Sequence, residues 1–211
     1  RTLQYGDKAH EIRINSFYYY SNPKVSKNKY HKFSIPKKSG EERIIHAPKK
    51  GLKAIQRTIT DLLTLIYEPN ICVNGFVPKR SIINNAIPHV SKNYVYNIDL
   101  KDFFPSIDMR RVKACLKLPP FNLNDKTAFL VANICCEKLT VSKEVNGVIK
   151  NYEALVLPQG APTSPIITNI VSQRLDRRLI GIAKRFGLTY SRYADDITFS
   201  SDHNIYQNNS E

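Results

Sequence analysis

Two adjacent carboxylates, Asp195 and Asp196, lie between two short segments that alternate apolar and polar residues. Residues 188–193 and 197–200 are rich in β-branched and aromatic side chains, which is typical of half-buried strands. The two acids are therefore expected at the turn of a β-hairpin. Because neighbouring like charges repel, the pair needs a neutralising partner. In so basic a chain, this pattern favours a divalent metal that serves phosphate chemistry.

Two other segments carry residues suited to the same chemistry. Asp99 ends the apolar segment Tyr94 to Leu100, which predicts a buried strand. Residues 157–165 (LPQGAPTSP) predict a tight loop that leads into a helix N-terminus. Gly160 would allow a ligand close to the backbone, and the helix end favours negative charge. Taken singly, each segment is also typical of an ordinary turn or loop, and only the fold could unite Asp99 with Asp195.

Composition favours a nucleic-acid partner. Lys and Arg number 32 against 18 Asp and Glu, a formal net charge of +14. Residues 1–60 contain 14 basic and 4 acidic residues, with tyrosines and Phe33 among the lysines. Such a surface suits a nucleic-acid backbone and its bases, although a solvated basic face or an anionic lipid surface would need the same charges. No segment is apolar enough to cross a membrane, so no membrane partner is expected.

The cysteine pattern favours a cytoplasmic location. The four cysteines form no CxxC pair. They are expected to be reduced and mostly buried. The N-terminus shows no signal-peptide pattern.

Apolar periodicity and turn residues predict an α+β fold with an antiparallel sheet backed by helices. The predicted elements are a hairpin with arms 32–36 and 43–46, a helix over 51–67, helices capped by Asp108 and Asn124, a hairpin within 138–157, and a helix from Ser164 to Phe186. Thr163 or Ser164 could cap the start of this last helix, and Gly187 suits the position just past its end. Its apolar face is expected to consist of Ile166, Ile167, Ile170, Val171, Leu175, Leu179, Ile182 and Phe186.

In this order, the segments around Asp99, Gln159-Gly160 and Asp195-Asp196 resemble motifs A, B and C of reverse transcriptases. Residues 43–48 (RIIHAP) and 74–82 (NGFVPKRSI) are similar to fingers motifs of the bacterial enzymes. Residues 85–89 (NAIPH) fit the NAxxH signature of retron reverse transcriptases, and Ile134-Cys135-Cys136 is also similar to that group. The resemblance covers about residues 30–200 and is greatest to retron-type or related defence-associated reverse transcriptases.

The resemblance implies the fingers and palm of a right-hand polymerase. Residues 1–92 would form an N-terminal segment and fingers, and residues 93–211 the palm, with about 112–154 returning to the fingers. The primer grip and the thumb would be missing from this fragment. We therefore expect the fragment by itself to be a weak or inactive polymerase.

The resemblance also implies a two-metal site. Asp99, Asp195 and Asp196 would be the catalytic acids, with the Leu100 carbonyl as a further ligand. The cofactor would be two Mg²⁺ ions, for which Mn²⁺ could substitute.

The family pattern assigns a second set of residues to the substrates. The nucleotide-binding residues would be Arg43, Lys37, Lys38, Leu100, Phe104, Gln159 and Gly160, and the primer or template contacts Tyr193 and Ala194. The guanidinium of Arg43 suits bidentate phosphate contact. Phe104 would be a steric gate against a ribose 2′-hydroxyl, whereas its neighbour Phe103 is expected in the core.

The implied function is RNA-directed DNA polymerase, with an RNA template, a DNA or RNA primer and deoxynucleoside triphosphates as partners. A retron enzyme would copy a cognate structured non-coding RNA in anti-phage defence. The alternatives are a group II intron reverse transcriptase and maturase, and a catalytically idle RNA-binding protein, against which the three retained acids argue. His89 has two interpretations, a contact that orders a loop or touches RNA, and a structural histidine in the core with satisfied nitrogens, which we favour.

Overall fold

A computed structural model describes residues 14–26, 28–36, 40, 42–145 and 147–204, without the side chains of residues 143 and 145. The helices are α1 Ile14–Ser21, α2 Lys50–Ile66, α3 Ile82–Ala86, α4 Met109–Leu116, α5 Asp125–Cys135 and α6 Ser164–Arg185, with a 3₁₀ turn at Ile87–His89. The strands are β1 Tyr30–Pro36, β2 Glu42–Pro48, β3 Tyr94–Asp99, β4 Glu137–Val145, β5 Val148–Val156, β6 Thr189–Tyr193 and β7 Asp196–Ser201. Both predicted hairpins, β1–β2 and β4–β5, are confirmed.

Helix boundaries follow from local chemistry. The side chain of Asp108 accepts a hydrogen bond from the Arg111 amide at 2.8 Å, and that of Asn124 accepts one from Thr127 at 2.9 Å. Each cap satisfies an amide that the first turn leaves without a partner and contributes about 1 kcal/mol. Both predicted caps are confirmed.

Helix α6 packs its N-terminal half into the core. Ile166, Ile167, Ile170 and Val171 are buried as predicted. The expected continuation of the apolar face is wrong at its far end, where Ile182 and Phe186 are 47% and 42% exposed. The buried residue of that last turn is Ala183 instead, in the row that follows Leu175 and Leu179 by steps of four.

The predicted capping of α6 is confirmed only at its C-terminal end. Gly187, just past the helix, has φ +64°, as a C-terminal cap requires. The side chain of the N-cap residue, Thr163, makes no capping hydrogen bond.

The sheet that matters for function has the antiparallel order β3–β7–β6. Its strand β3 was predicted to be buried, and that prediction is wrong: Val95 and Tyr96 are 50% and 53% exposed. Only Ile98 and, just past the strand, Leu100 pack against the apolar cluster of the sheet. The other edge strand, β6, is buried because Val73 covers it through a bridge to Arg192.

Two apolar clusters hold the elements together. The larger one joins α2, α4, α5 and the first half of α6 through residues such as Leu52, Val112 and Ile134. The smaller one lies between β6–β7 and the second half of α6, with Val73, Tyr190 and Phe199 at its centre. The result is the predicted α+β fold, with an antiparallel sheet backed by helices.

All four cysteines are free, and Cys72, Cys135 and Cys136 are buried, as expected. Burial raises the pKa of Cys135 to about 12, so its thiol is a poor nucleophile at neutral pH. None of the helices in the described residues is long and apolar enough to span a bilayer.

Candidate active site

The three predicted catalytic acids lie at one end of the β3–β7–β6 sheet. Asp99, the last residue of β3, is paired with Asp196, the first residue of β7. Asp195 lies in the two-residue turn between β6 and β7, and its carbonyl accepts a hydrogen bond from the Leu100 amide at 3.2 Å. The fold thus brings Asp99 next to a turn that lies 96 residues later in the chain, and the predicted hairpin is confirmed.

The three carboxylates influence one another electrostatically. The pKa of Asp196 is raised, first by partial burial and then by the negative charges of Asp195 and Asp99. Such repulsion is relieved when a cation binds. Among the described residues, no group of three or more His, Cys, Asp or Glu side chains is already arranged to hold a metal ion. The metal assignment of Asp99, Leu100, Asp195 and Asp196 therefore stays a prediction.

A fully buried arginine, Arg192, stabilises the β6–β7 turn. Arg192 donates from Nε and Nη2 to the two carboxylate oxygens of Asp176 at 2.7 and 2.8 Å. Its Nη1 donates to the Ala194 carbonyl at 2.9 Å and to Oδ1 of Asn169 at 3.2 Å. Tyr190 donates a further hydrogen bond to Asp176 at 2.7 Å. These hydrogen bonds join five residues on α6, β6 and the β6–β7 turn.

Gly75 packs directly against the β6–β7 turn. A Cβ at this position would lie 2.3 Å from the Ala194 nitrogen and 2.9 Å from the Tyr193 carbonyl carbon, both backbone atoms. Its carbonyl accepts a hydrogen bond from Nδ2 of the buried Asn169 at 2.9 Å. Ala194 itself has φ +57°, which is unfavourable for a residue with a side chain. The turn is thus held in a strained conformation by its neighbours.

Four residues around this turn were not predicted from the sequence: Arg192, Asp176, Asn169 and Gly75. The only available signals were the position of Arg192 just before the turn and the position of Gly75 within the fingers motif.

The loop before α6 is fastened to the β1–β2 hairpin. The His46 amide donates to the Gln159 carbonyl at 2.7 Å. Gly160 has φ +114°, and a Cβ there would lie 2.8 Å from Cγ2 of Ile45 and 2.9 Å from the His46 carbonyl oxygen. Only glycine fits this close approach.

The hairpin also carries Arg43, which is exposed. Side chains alternate along a strand, so Arg43 is on the same face of β2 as Ile45, the face that meets Gly160. The predicted phosphate-binding residues Lys37 and Lys38 lie outside the described residues.

The two phenylalanines after β3 differ as predicted in their burial. Phe103 is 7% exposed and belongs to the core. Phe104 is half-buried, with its ring centroid 5.7 Å from that of Phe103 and 6.1 Å from that of Phe76.

His89 bridges two strands of the sheet. Its Nδ1 lies 2.6 Å from the Ser200 hydroxyl and its Nε2 lies 2.7 Å from the Ser191 hydroxyl. Both ring nitrogens are satisfied, which agrees with the structural interpretation, although the ring is half-buried. Partial burial lowers the pKa of His89, because the charged imidazolium loses hydration.

We expect His89 to make the protein less stable in mild acid. Since its pKa is lower in the folded than in the unfolded state, the unfolded chain takes up the proton first as pH falls below about 6.5. Replacing His89 by glutamine should reduce the loss of unfolding free energy between pH 7 and pH 5.5, by no more than about 1.4 kcal/mol per pH unit. Urea unfolding across this range measures the effect. An unchanged pH slope would contradict it, and exposed His203 replaced by glutamine is the control.

With the geometry established, comparisons with known proteins define the class. The family model described as "Reverse transcriptase (RNA-dependent DNA polymerase)" matches residues 35–207. The chain therefore belongs to the reverse transcriptase family.

Its curated relatives include the retron Mx65 reverse transcriptase of Myxococcus xanthus, 42% identical over 90% of this chain and 45% of the relative. Another is the retron Ec86 reverse transcriptase of Escherichia coli, 35% identical over 82% of this chain and 49% of the relative. The chain thus spans about half the length of these relatives. The expected resemblance to retron-type enzymes is confirmed.

A solved structure of telomerase from Candida albicans with a fragment of telomeric RNA has a similar fold. The TM-score is 0.51 at 12% identity, over 82% of this chain and 38% of the other. At this identity the likeness concerns the fold alone, and it is consistent with polymerase fingers and palm.

Proposed function

We propose that the complete protein is an RNA-directed DNA polymerase that extends a primer on an RNA template. The observation that carries the proposal is the cross-strand pairing of Asp99 with Asp196, with Asp195 in the adjoining turn. In a chain of the reverse transcriptase family, these are the residues that motifs A and C contribute.

The donor chemistry of the site suits Mg²⁺. Carboxylate and carbonyl oxygens are the hard ligands that this ion prefers, and it commonly binds to one or two carboxylates together with substrate phosphates. This coordination preference is compatible with described residues that contain no group of three ligands already arranged around an ion. Two bound ions would activate the primer 3′-hydroxyl and neutralise charge on the triphosphate. Asp99 and Asp195 would hold both, with Asp196 and the Leu100 carbonyl as further ligands and Mn²⁺ as a substitute.

The loop before α6 and the β1–β2 hairpin would form the nucleotide side of the site. The Gln159 carbonyl and Gly160 are fastened to β2, and Arg43 projects from the same face of that strand that meets Gly160. Arg43 would bind the triphosphate, with Lys37 and Lys38 as additional cations.

The primer end would lie beside Tyr193 and Ala194, the two residues that lead into Asp195. The position of Tyr193 at the end of β6 and of Ala194 in the turn supports this placement.

In the proposed division of the chain into polymerase subdomains, residues 1–92 would form an N-terminal segment and fingers, and residues 93–211 would form the palm. Contacts of α5 with α1 and α2 support the return of about residues 112–154 to the fingers.

Phe104 would be the gate that excludes ribonucleotides. Its half-buried ring follows β3 closely, and a ribose 2′-hydroxyl would collide with it. We expect Phe104→Ala in the complete protein to lower the preference for deoxynucleotides by about tenfold or more. The substitution removes the aromatic ring that would collide with the 2′-hydroxyl of a ribonucleotide. The ratio of kcat/KM for dCTP to that for CTP measures this. An unchanged ratio would contradict the assignment.

The similarity to retron enzymes supports a narrower proposal. The template would be a cognate structured non-coding RNA, copied in the cytoplasm during anti-phage defence. Free, buried cysteines suit a reducing compartment.

Primer extension tests the function. The complete protein should copy an RNA template with deoxynucleotides, and the double variant Asp195→Asn, Asp196→Asn should not. Full activity of the double variant would refute the proposal. RNA binding without extension by the wild type would instead favour an idle RNA-binding scaffold.

A further inference from the structure

We infer that Phe76 is a specificity-determining residue, because it positions the Phe104 ring against the sugar of the incoming nucleotide. The inference rests on the proposed function and deepens it. The inference is based on three observations. They are the strained backbone of Phe76, the attachment of Asn74 and Gly75 to the β6–β7 hairpin, and the contact of the Phe76 ring with the Phe104 ring.

The backbone at Phe76 is strained. Its φ is +59°, in the left-handed region where a side chain costs free energy. Phe76 is also 41% exposed, so burial of its ring does not compensate for that cost. Strained conformations of this kind persist only where the surroundings impose them, and they are concentrated at functional sites.

The strain has an identifiable origin in Gly75. That residue is pressed against the Ala194 nitrogen and is held through its carbonyl by Asn169. The preceding residue, Asn74, is also fixed, since its amide donates to the Arg192 carbonyl at 2.9 Å. With both predecessors fixed at the catalytic turn, the chain turns sharply at Phe76 and places its ring beside Phe104.

The Phe104 ring has aromatic neighbours on two sides. Phe103, buried in the core, lies 5.7 Å away at an interplanar angle of 55°. Phe76 lies 6.1 Å away at 43°. These are the separations and tilts at which aromatic pairs attract. Phe103 therefore limits the movement of Phe104 toward the core, and Phe76 limits it on the exposed side.

The Phe76 contact therefore matters for rejecting the 2′-hydroxyl. Without the Phe76 ring, Phe104 gains freedom to turn away from a ribose. A deoxyribose has no 2′-hydroxyl, so its binding does not depend on the position of the Phe104 ring. Loss of the Phe76 ring should thus raise ribonucleotide incorporation more than it changes deoxynucleotide incorporation.

The test compares dCTP with CTP on an RNA template, using the complete protein. Phe76→Ala should lower the selectivity ratio of kcat/KM about threefold to tenfold, the range expected for loss of one aromatic pair. Phe76→Tyr keeps the ring and should retain the wild-type ratio. Phe186→Ala is the matched control, because Phe186 is 42% exposed and caps the C-terminus of α6. It should leave the ratio unchanged.

A double variant distinguishes positioning from a general structural role. If Phe76 acts through Phe104, then adding Phe76→Ala to Phe104→Ala should lower the ratio no further. A fully additive effect would overturn the inference, as would a ratio for Phe76→Ala within twofold of wild type. If Phe76→Ala does not fold, Phe76→Leu replaces it, since leucine keeps the apolar bulk but removes the flat ring.

The two proposals fail in different ways. A wild-type protein that incorporates no deoxynucleotide would refute the proposed function. An active wild type in which Phe104→Ala relaxes sugar selectivity and Phe76→Ala does not would refute only the role of Phe76.

Discussion

Replacing Asp99 by asparagine in the complete protein is expected to lower the rate of nucleotide incorporation by at least about a thousandfold. The change removes one negative charge and leaves the side chain nearly the same size. If Asp99 helps to hold the metal ions, its loss would weaken the stabilisation of transition-state charge by several kcal/mol, and each 1.36 kcal/mol is a tenfold change in rate. Single-turnover primer extension at saturating Mg²⁺ measures it.

Asp202→Asn is the matched control for this change. Asp202 lies just past the end of β7 and is paired with Lys92 at 2.6 Å, with its carboxylate mostly exposed. The same chemical replacement at this position should change the rate less than twofold, since exposed pairs contribute about 0–1 kcal/mol. Equal losses for Asp99→Asn and Asp202→Asn would show that the first effect is not specific to the site.

Replacing Arg192 by leucine is expected to lower the free energy of unfolding by about 3–5 kcal/mol, because it leaves the carboxylate of Asp176 buried without its partner. Asp176 is 2% exposed and accepts both strong hydrogen bonds of the guanidinium. Urea unfolding of this chain measures the loss. The variant also frees the Ala194 carbonyl, so the catalytic turn loses a support.

Two further variants sharpen this prediction. The double variant Arg192→Leu, Asp176→Leu should recover part of the lost stability, since removing both charges avoids a buried unpaired one. Arg178→Leu, on the exposed side of α6, should change stability by no more than about 0.5 kcal/mol. If Arg192→Leu costs no more than Arg178→Leu, the buried pair does not stabilise the fold.

Local patterns were sufficient for most elements of the fold. The apolar spacing of α2 predicts the helix and most of its buried face, although Leu62 and Ile66 are exposed. The oxygen atoms of Asp108 and Asn124 determine where two helices begin. The Asp195-Asp196 pair between two alternating segments was sufficient to predict the β6–β7 hairpin. These features depend on residues a few positions apart, so periodicity and capping chemistry are enough to find them.

Features that depend on distant segments could not be predicted in the same way. The apolar composition of β3 indicated burial, but most of its side chains meet no apolar cluster, whereas β6, the other edge strand, is covered by a distant segment around Val73. Arg192 looked like any alternating strand residue, yet it is fully buried because α6 supplies Asp176. The contact of Gly75 with the Ala194 turn joins residues more than a hundred positions apart, and no local pattern encodes it.

The most direct test of the proposed catalytic site is the single-turnover addition of one deoxynucleotide to a primer annealed to RNA. The complete wild-type protein should add only the nucleotide complementary to the template, in a reaction that requires Mg²⁺ or Mn²⁺. The Asp195→Asn variant, matched in folding by circular dichroism, should show no measurable addition. Addition by this variant at the wild-type rate would contradict the assignment of the β6–β7 turn as the catalytic centre.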